Sequence, residues 1–166
     1  MKIPVICIVG AHNSGKTTFI TKIINILTSE GYNVAALKHD PKGKAVTDTV
    51  GKDSYKMYES GAKQVILVSP EKITTYNRVE KELHPEEIID KFADKEADII
   101  ILEGFKWFKG FDKFEVVRKV ENRDLMLKDS EELKGVITDY YPFNPSFDIN
   151  KPEQFVEFLK NNYLND

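Results

Sequence analysis

The stretch that decides the fold reads Val9-Gly10-Ala11-His12-Asn13-Ser14-Gly15-Lys16-Thr17-Thr18. Within it, Gly10 to Thr17 matches G-x-x-x-x-G-K-T, the phosphate-binding P-loop. The apolar run before the motif predicts a buried strand, and the amphipathic stretch after it predicts a helix. Because strand, loop and helix are the context that this motif requires, the sequence predicts a nucleotide-binding site here.

Each position of the loop has a chemical reason. Gly10 and Gly15 carry no side chain, so the backbone can turn sharply and bring N–H groups close to a phosphate. These N–H groups and the positive end of the following helix dipole favour an anion. Lys16 adds a charge that reaches the β- and γ-phosphates, and the Thr17 hydroxyl is placed to ligate Mg²⁺. The candidate nucleotide-binding residues of the loop are Gly10, His12, Asn13, Ser14, Gly15, Lys16, Thr17 and Thr18.

The composition suits one compact soluble domain over residues 1–166, since 41% of the chain is hydrophobic and 31% is charged. No apolar run approaches the ~20 residues of a membrane span, and a strand predicted at the very start leaves no room for a signal peptide. Cys7 is the only cysteine, and we expect it in the core. An isolated cysteine also fits a protein of the reducing cytoplasm. A net charge of −3 gives no support for nucleic-acid binding. We therefore expect a cytoplasmic protein that binds neither membrane nor nucleic acid.

Apolar strands alternating with helices predict an α/β fold of the P-loop NTPase type, with a mostly parallel sheet covered by helices on both faces. Residues 105–135 interrupt the alternation, which suggests a small β-rich insertion there. Asp53 is expected to N-cap one helix, and Asn150 with Glu153 to form a capping box at another. Strands are predicted at 3–9, 34–38, 65–68, 72–78, 98–102, 114–119 and 136–138, and helices at 15–29, 54–60, 85–93 and from Asn150 onward.

Several blocks of the chain together resemble the molybdopterin-guanine dinucleotide biosynthesis protein B (MobB) family, P-loop GTP-binding proteins of molybdenum-cofactor assembly. The P-loop alone is common to many families, whereas two of the other blocks, G-K-D-S and I-L-E-G-F-K, are more specific in combination. The blocks occur in the family's order and cover most of the chain: Gly10–Thr18, Leu37–Asp40, Asp48 with Gly51–Ser54, Ser60–Ala62, Asp98–Lys106 and Val136–Asp139.

The resemblance implies GTP as ligand, Mg²⁺ as cofactor and weak intrinsic GTPase activity. It also implies a homodimer that assists the molybdenum cofactor guanylyltransferase, the enzyme that joins a guanine nucleotide to molybdopterin, with molybdopterin itself as a further candidate ligand. The family often carries more histidines after its Lys-His pair. This chain has Lys38-His39-Asp40-Pro41 instead, which counts against any role that depends on a histidine cluster there.

Carboxylates at strand ends are candidates for the metal. Glu103 ends the strongest predicted strand, where P-loop proteins place a carboxylate that helps hold Mg²⁺. We therefore expect Lys16 and Glu103 as catalytic residues, and Thr17, Glu103 and Asp40 at the metal. Asp40 follows the second strand with Lys38 and His39, which can face the nucleotide or simply form a polar turn before Pro41. His39 is a candidate for substrate binding.

Guanine can be distinguished from adenine by a carboxylate that accepts from its N1–H and amino group. Asp139, after a strand, is the preferred base reader, because the expected capping box accounts for the alternative, the N-K-x-D-like residues 150–153. Two other segments stay open. Residues 51–54 either begin a helix or contact a phosphate or pterin, and the aromatic residues 105–114 form either a satellite core or a dimer or docking surface.

Four functions are compatible with these residues to different degrees. A GTP-binding accessory protein with slow hydrolysis is favoured, because no residue stands out as a strong base or an arginine finger. A small-molecule kinase usually closes a lid with arginines. The chain has only three, Arg78, Arg118 and Arg123, so such a lid is hard to locate. A metal-insertion GTPase needs clustered Cys and His, against one Cys and three scattered His here. A nucleotide-gated adaptor without catalysis has the same sequence signature as the first.

Overall fold

A computed structural model describes residues 3–140 and 143–164, whose contacts divide them into two units. The first unit comprises the described residues up to His39 and from Pro85 onward, and the second is Asp40–His84. The expectation of one nucleotide-binding domain over residues 1–166 stays a prediction. None of the described helices is both long and apolar enough to cross a membrane.

Four α-helices and eight strands make up the described part of the chain. The helices are α1 (Lys16–Ser29), α2 (Asp53–Glu59), α3 (Pro85–Phe92) and α4 (Pro152–Leu159), and α4 continues into a π-helical turn, Lys160–Leu164. The strands are β1 (Val5–Gly10), β2 (Val34–Lys38), β3 (Gln64–Val68), β4 (Ile73–Asn77), β5 (Ile99–Glu103), β6 (Asp112–Val117), β7 (Leu133–Thr138) and β8 (Ser146–Asp148).

The first unit is built on a six-stranded sheet in the order β2-β5-β1-β6-β7-β8, and every neighbouring pair is parallel. The predicted fold class, a mostly parallel P-loop NTPase-like sheet with helices, is confirmed. In the register, Lys38 lies beside Glu103 and Gly10 lies beside Val116. The carboxyl ends of β2, β5, β1 and β6 therefore meet at one edge of the sheet, which is where such folds bind ligands.

The core of this unit lies on both faces of β1. Ile6 and Ile8 point to one face and pack with α1 and α4, whereas Cys7 and Val9 point to the other. Both faces of a parallel strand are buried in this way, which is why the sequence of β1 is apolar without alternation. The prediction that Cys7 lies in the core is confirmed, and burial raises the pKa of its thiol to about 12.

The small β element is not where the sequence placed it. The segment 105–135 contains β6, which lies in the middle of the main sheet between β1 and β7. The sequence predicted a strand at 114–119 but assigned it to an insertion, because two buried charged side chains of β6, Lys113 and Glu115, break its apolar pattern. The separate β element is instead the antiparallel hairpin of β3 and β4, in the second unit.

Three helix caps were predicted from the sequence, and the structure confirms one of them and shows the other two to be wrong. After α1, the Gly31 N–H donates to the carbonyl of Thr28 and the Tyr32 N–H to that of Leu27, both at 3.1 Å. These two bonds form a Schellman motif, and Gly31 ends the helix as predicted. Asp53 was expected as an N-cap but is the first helical residue, after Lys52.

The capping box at α4 is also absent. Lys151 is the N-cap, and no side chain caps this end, while proline at the first helical position needs no partner for its missing N–H. Asn150 instead uses its own backbone N–H to donate to the Asp148 carboxylate at 2.8 Å. Without a capping box, Asn150 is again available as a candidate for reading the base.

Candidate functional site

The glycine loop between β1 and α1 has the tight geometry that the motif requires. A Cβ on Gly10 would lie 2.7 Å from the Val116 carbonyl oxygen and 2.8 Å from the Ser14 hydroxyl, so only glycine fits there. Gly15 has φ +96° and Asn13 has φ +59°, so the loop turns through the left-handed region twice before the helix begins. Gly15 is also the N-cap of α1, which has no side-chain capping bond. The first N–H groups of the helix are thus left to a ligand or to solvent.

Lys16 folds back over this loop. Its ammonium donates to the carbonyl oxygens of Gly10, at 3.1 Å, and Ala11, at 2.6 Å. Burial lowers the pKa of Lys16, while the charge of Glu103 opposes that shift and the charge of Lys38 adds to it. A positive charge is therefore held within the loop, as expected for a residue that contacts phosphates.

The hydroxyl of Ser14 is a second sign of a cradle built for a ligand. The residue is buried, and no described residue hydrogen-bonds to its Oγ. Buried hydroxyl groups normally have a partner, because an unpaired one loses its solvation. The Ser14 hydroxyl and the uncapped start of α1 are both suited to phosphate oxygens, so the loop residues fit the predicted ligand.

Thr17, Glu103 and Lys38 meet beside the loop. The Thr17 hydroxyl donates to Glu103 Oε1 at 2.7 Å, and Lys38 Nζ donates to the same oxygen at 2.9 Å. Lys38 also donates to the Thr17 hydroxyl at 3.3 Å. The prediction placed Thr17 and Glu103 together on the metal side of the site, and the structure brings these two side chains into direct contact.

These residues fit Mg²⁺. Thr17 and Glu103 offer hard oxygen atoms, and Mg²⁺ in nucleotide sites takes one or two protein ligands and completes its shell with phosphates and water. A site assembled from protein side chains alone is not seen, since the described part of the chain holds no group of three or more His, Cys, Asp or Glu placed to bind a metal.

Asp40, the third predicted metal residue, belongs to the second unit. Its carboxylate accepts from the backbone N–H of Ala45 at 2.6 Å and of Lys42 at 3.3 Å, and so organises its own turn. The polar-turn interpretation accounts for these contacts. The role of Asp40 at the metal stays a prediction.

The backbone around Glu103 is held closely. His39 N–H donates to the Glu103 carbonyl at 2.9 Å, and a Cβ on Gly104 would lie 3.2 Å from the His39 Cβ. The His39 ring stacks on Phe105 with the ring centroids 4.8 Å apart. The cysteine of β1 contributes as well, since the Cys7 thiol donates to the Gly104 carbonyl at 3.1 Å. Glu103 is thus presented from a rigid strand end.

The aromatic segment after Glu103 divides into buried and exposed rings. Phe105, Phe111 and Phe114 are buried in the core of the main sheet rather than in a satellite core. Trp107 is 79% exposed, and the Lys106 ammonium lies 4.1 Å from the centroid of its ring. The structure therefore leaves Trp107 as the exposed aromatic ring of this segment.

Asp139 lies at the carboxyl end of β7, two strands from the loop. Its carboxylate accepts from the Lys119 N–H at 2.7 Å and from Arg118 Nε at 3.1 Å. The Lys119 N–H, with help from Arg118, lowers the pKa of Asp139 and keeps it ionised. An anionic acceptor suits guanine, but this one already has two donors.

Asn150 returns as an alternative to Asp139. The structure removes the capping box that had explained this residue, and the neighbouring Ile149 side chain lies 3.5 Å from where a Gly15 Cβ would be. Ile149 therefore adjoins the phosphate loop, and Asn150 is the next residue in the chain. Both base-reading candidates stay predictions.

Sequence reasoning missed a buried ion-pair network beside the loop. Glu115, in β6, is 0% exposed and accepts from Arg123 Nη1 at 2.6 Å and from the N–H groups of Met126 and Leu127. Arg123 also pairs with Glu121 at 2.8 Å. Burial opposes the charge of Arg123, but the hydrogen bonds that it donates to Glu115 and Glu121 outweigh this effect and raise the Arg123 pKa. No sequence spacing signals these partners, because they come from separate turns.

The parallel sheet and its glycine loop define an α/β protein of the P-loop NTPase-like class. The family model for molybdopterin guanine dinucleotide synthesis protein B, MobB, matches residues 5–139, and the chain belongs to this family. The molybdopterin-guanine dinucleotide biosynthesis adapter protein of Haemophilus influenzae is 29% identical in an alignment that covers 96% of this chain and 89% of that protein.

Solved structures agree with this family. A crystal structure of molybdopterin-guanine biosynthesis protein B has a TM-score of 0.72 at 30% identity and covers 95% of this chain and 98% of its own. The crystal structure of Bacillus subtilis MobB has a TM-score of 0.73 at 26% identity and covers 98% of this chain and 99% of its own. The family suggested by the sequence blocks is thereby confirmed.

Proposed function

We propose that this protein is a GTP-binding adapter of molybdopterin guanine dinucleotide biosynthesis, with slow GTP hydrolysis at the Gly10–Thr18 loop. The observation that carries the proposal is the contact between Thr17 and Glu103 beside a loop that holds the Lys16 ammonium. Family membership supports the pathway, since a relative that aligns over nearly the whole chain is named as its adapter protein.

Each residue then has a task. The loop N–H groups, the Ser14 hydroxyl and Lys16 bind the phosphates, and Lys16 neutralises charge on the β- and γ-phosphates. Thr17 and Glu103 hold Mg²⁺, which supplies further charge neutralisation when bound. Lys16 and Glu103 are therefore the catalytic residues of the proposal.

The arginines support slow rather than fast turnover. Arg118 and Arg123 both donate to carboxylates, and Arg78, in the second unit, donates to the Tyr58 carbonyl at 2.6 Å. A fast phosphoryl transferase uses an arginine to stabilise charge in the transition state. Arginines committed to other partners favour an adapter over a small-molecule kinase.

The second unit supports the expected homodimer. Its hairpin exposes Ile66, Val68 and Ile73, and an isolated two-stranded hairpin is at best marginally stable in water. An apolar surface of this kind fits a second copy of the chain. The other partner of the proposal is the molybdenum cofactor guanylyltransferase, with molybdopterin as a further candidate ligand, in the cytoplasm.

A titration of GTP against ATP, with wild type and Lys16→Ala, tests the proposal. We expect preference for GTP and a loss of about 10-fold to 100-fold in affinity for Lys16→Ala, the usual range for a charged hydrogen bond. Lys22→Ala, an exposed lysine of the same helix, is the matched control and should bind normally.

Four results would contradict the proposal. Preference for ATP would remove the guanine assignment, and unchanged affinity of Lys16→Ala would remove the loop as the site. Hydrolysis at tens of turnovers per second without a partner, or phosphate transfer to a nucleotide or pterin, would favour an enzyme over an adapter.

A further inference from the structure

Lys38 has no role in the P-loop motif, yet its ammonium occupies a defined position in the site. It lies 2.9 Å from Glu103 Oε1 and 3.3 Å from the Thr17 hydroxyl, while Thr17 itself donates to the same carboxylate oxygen. The three side chains come from β2, β5 and α1. Register sets this meeting, because Lys38 and Glu103 are direct partners at the ends of two paired strands.

The ammonium therefore contacts the two oxygen atoms that the Mg²⁺ site would use. A cation that bridges a hydroxyl and a carboxylate performs the electrostatic task of a metal ion at that place. Glu103 is only 13% exposed in its side chain, so an uncompensated charge there is costly, whereas the Lys38 side chain is 62% exposed and free to swing outward. This asymmetry suits a rigid anion with an exchangeable cation.

We propose that Lys38 is an internal counter-ion that competes with Mg²⁺ for Glu103 and Thr17. With the metal absent, its ammonium neutralises Glu103 and supplies positive charge beside the phosphate loop. Metal entry requires Lys38 to leave both oxygens. The inference rests on the nucleotide site of the proposed function and adds to it a residue that sets the metal dependence of that site.

Competition of this kind predicts two effects of opposite sign when the charge is removed. In Lys38→Met the metal no longer displaces an ammonium, so the Mg²⁺ concentration that half-saturates nucleotide binding should fall. Without metal, the same variant lacks the ammonium that is hydrogen-bonded to Glu103 and should bind GTP more weakly. An exposed ion pair of this type is worth a factor of about two to five, which sets the expected size of both shifts.

The experiment measures GTP affinity across a Mg²⁺ series and in EDTA, by calorimetry, for wild type and Lys38→Met. Lys160→Met is the matched control, because Lys160 forms an exposed ion pair with Glu30 at 2.7 Å on the far end of α1. The control should show neither shift. Unfolding by urea confirms that both variants are folded.

Two results in the Mg²⁺ series would overturn the proposal. Identical Mg²⁺ half-saturation in wild type and Lys38→Met would show that no competition exists. A parallel loss of affinity with and without metal would show that Lys38 only shapes the site.

A second measurement does not depend on nucleotide. Mn²⁺ binding to the protein alone, followed by electron paramagnetic resonance, should be tighter for Lys38→Met than for wild type, and equal binding would contradict the competition. If wild type binds neither GTP nor ATP, the proposed function fails, and the Mn²⁺ comparison still decides the role of Lys38.

Discussion

The two units of this protein differ in what holds them together. The first has a continuous core on both faces of its sheet, and two of its charged side chains, Lys113 and Glu115, are buried with partners. In the second, Val65 is the one residue of Asp40–His84 that is buried. Yet this short unit carries eight of the eleven large apolar side chains that the described chain exposes.

From this difference we expect stability and assembly to depend on different parts of the chain. Burial of apolar surface is the main favourable term in folding, so the first unit holds most of the stability. The second unit has local turns, one hairpin and an exposed apolar surface, which suit contact with another chain. Substitutions in the two units should therefore act on different measurements.

The largest effect on folding should come from Glu115→Ala in the first unit. Removing this buried carboxylate takes away one of the two carboxylate partners of Arg123 and leaves two backbone N–H groups without their acceptor, which costs about 3–5 kcal/mol of unfolding free energy. Glu115→Gln should recover part of the loss, since its amide oxygen still accepts. Urea denaturation measures both, with the exposed Glu157→Ala as control. A loss below about 1 kcal/mol would show that the network contributes little to the core.

Gly10→Ala compared with Gly51→Ala tests the same contrast at glycine. The added methyl at Gly10 meets the Val116 carbonyl at 2.7 Å, so the loop must shift, at about 1–3 kcal/mol of stability and with loss of nucleotide affinity. Gly51, in the second unit, has φ +85° but nothing within 4 Å of the new Cβ. Gly51→Ala should therefore lower the free energy of unfolding only by the backbone strain of a left-handed alanine, about 1 kcal/mol, and leave nucleotide binding unchanged. Equal loss of binding in both variants would contradict this.

Val68→Lys in the hairpin should change assembly but hardly folding. Val68 and Ile73 are cross-strand partners and both are 68% exposed, so the substitution costs at most about 0.5 kcal/mol in the monomer. If the hairpin forms the dimer interface, sedimentation should show monomer in place of dimer at micromolar protein. Lys72→Ala, in the turn between the two strands, is the control. A variant that stays dimeric would place the interface elsewhere.

The smallest effect is expected for Asp53→Ala at the start of α2. Because Asp53 is the first helical residue rather than the N-cap, it contributes a helix-dipole interaction and an exposed ion pair with Lys56 at 3.6 Å. The loss should be about 0.3–0.5 kcal/mol. A loss of about 1 kcal/mol, typical of an N-cap, would restore the original interpretation.

Sequence reasoning worked where one strong physical signal dominated. The apolar runs of β1 and β5 and the periodicity of α1 made the parallel fold predictable. The motif placed Lys16 and Thr17 in one site, and the end of β5 added Glu103 as a candidate. Sequence reasoning predicted the strand β6 but did not place it in the main sheet, because Lys113 and Glu115 find buried partners that are distant in sequence. It failed at the caps because Asp53 and Asn150 have cap-forming side chains, but cap geometry depends on how the chain enters the helix.

The contacts within the candidate site could also be predicted only in part. Lys38 was expected to face the nucleotide, but its contact with both Thr17 and Glu103 depends on strand register, which a single sequence does not specify across distant segments. Similarly, Ile149 lies near Gly15 directly after β8, a three-residue strand too short to give a pattern. Long-range pairing is what the sequence alone could not supply.

The exposed indole of Trp107 gives the molecule a built-in optical probe. It is the one tryptophan of the chain, and it lies in the segment that directly follows Glu103 and Gly104. Its emission therefore comes from a single, solvated position, with the Lys106 ammonium stacked on the ring as a nearby charge. Any rearrangement of that segment during ligand binding can be read in the native protein by intrinsic fluorescence, with no label attached.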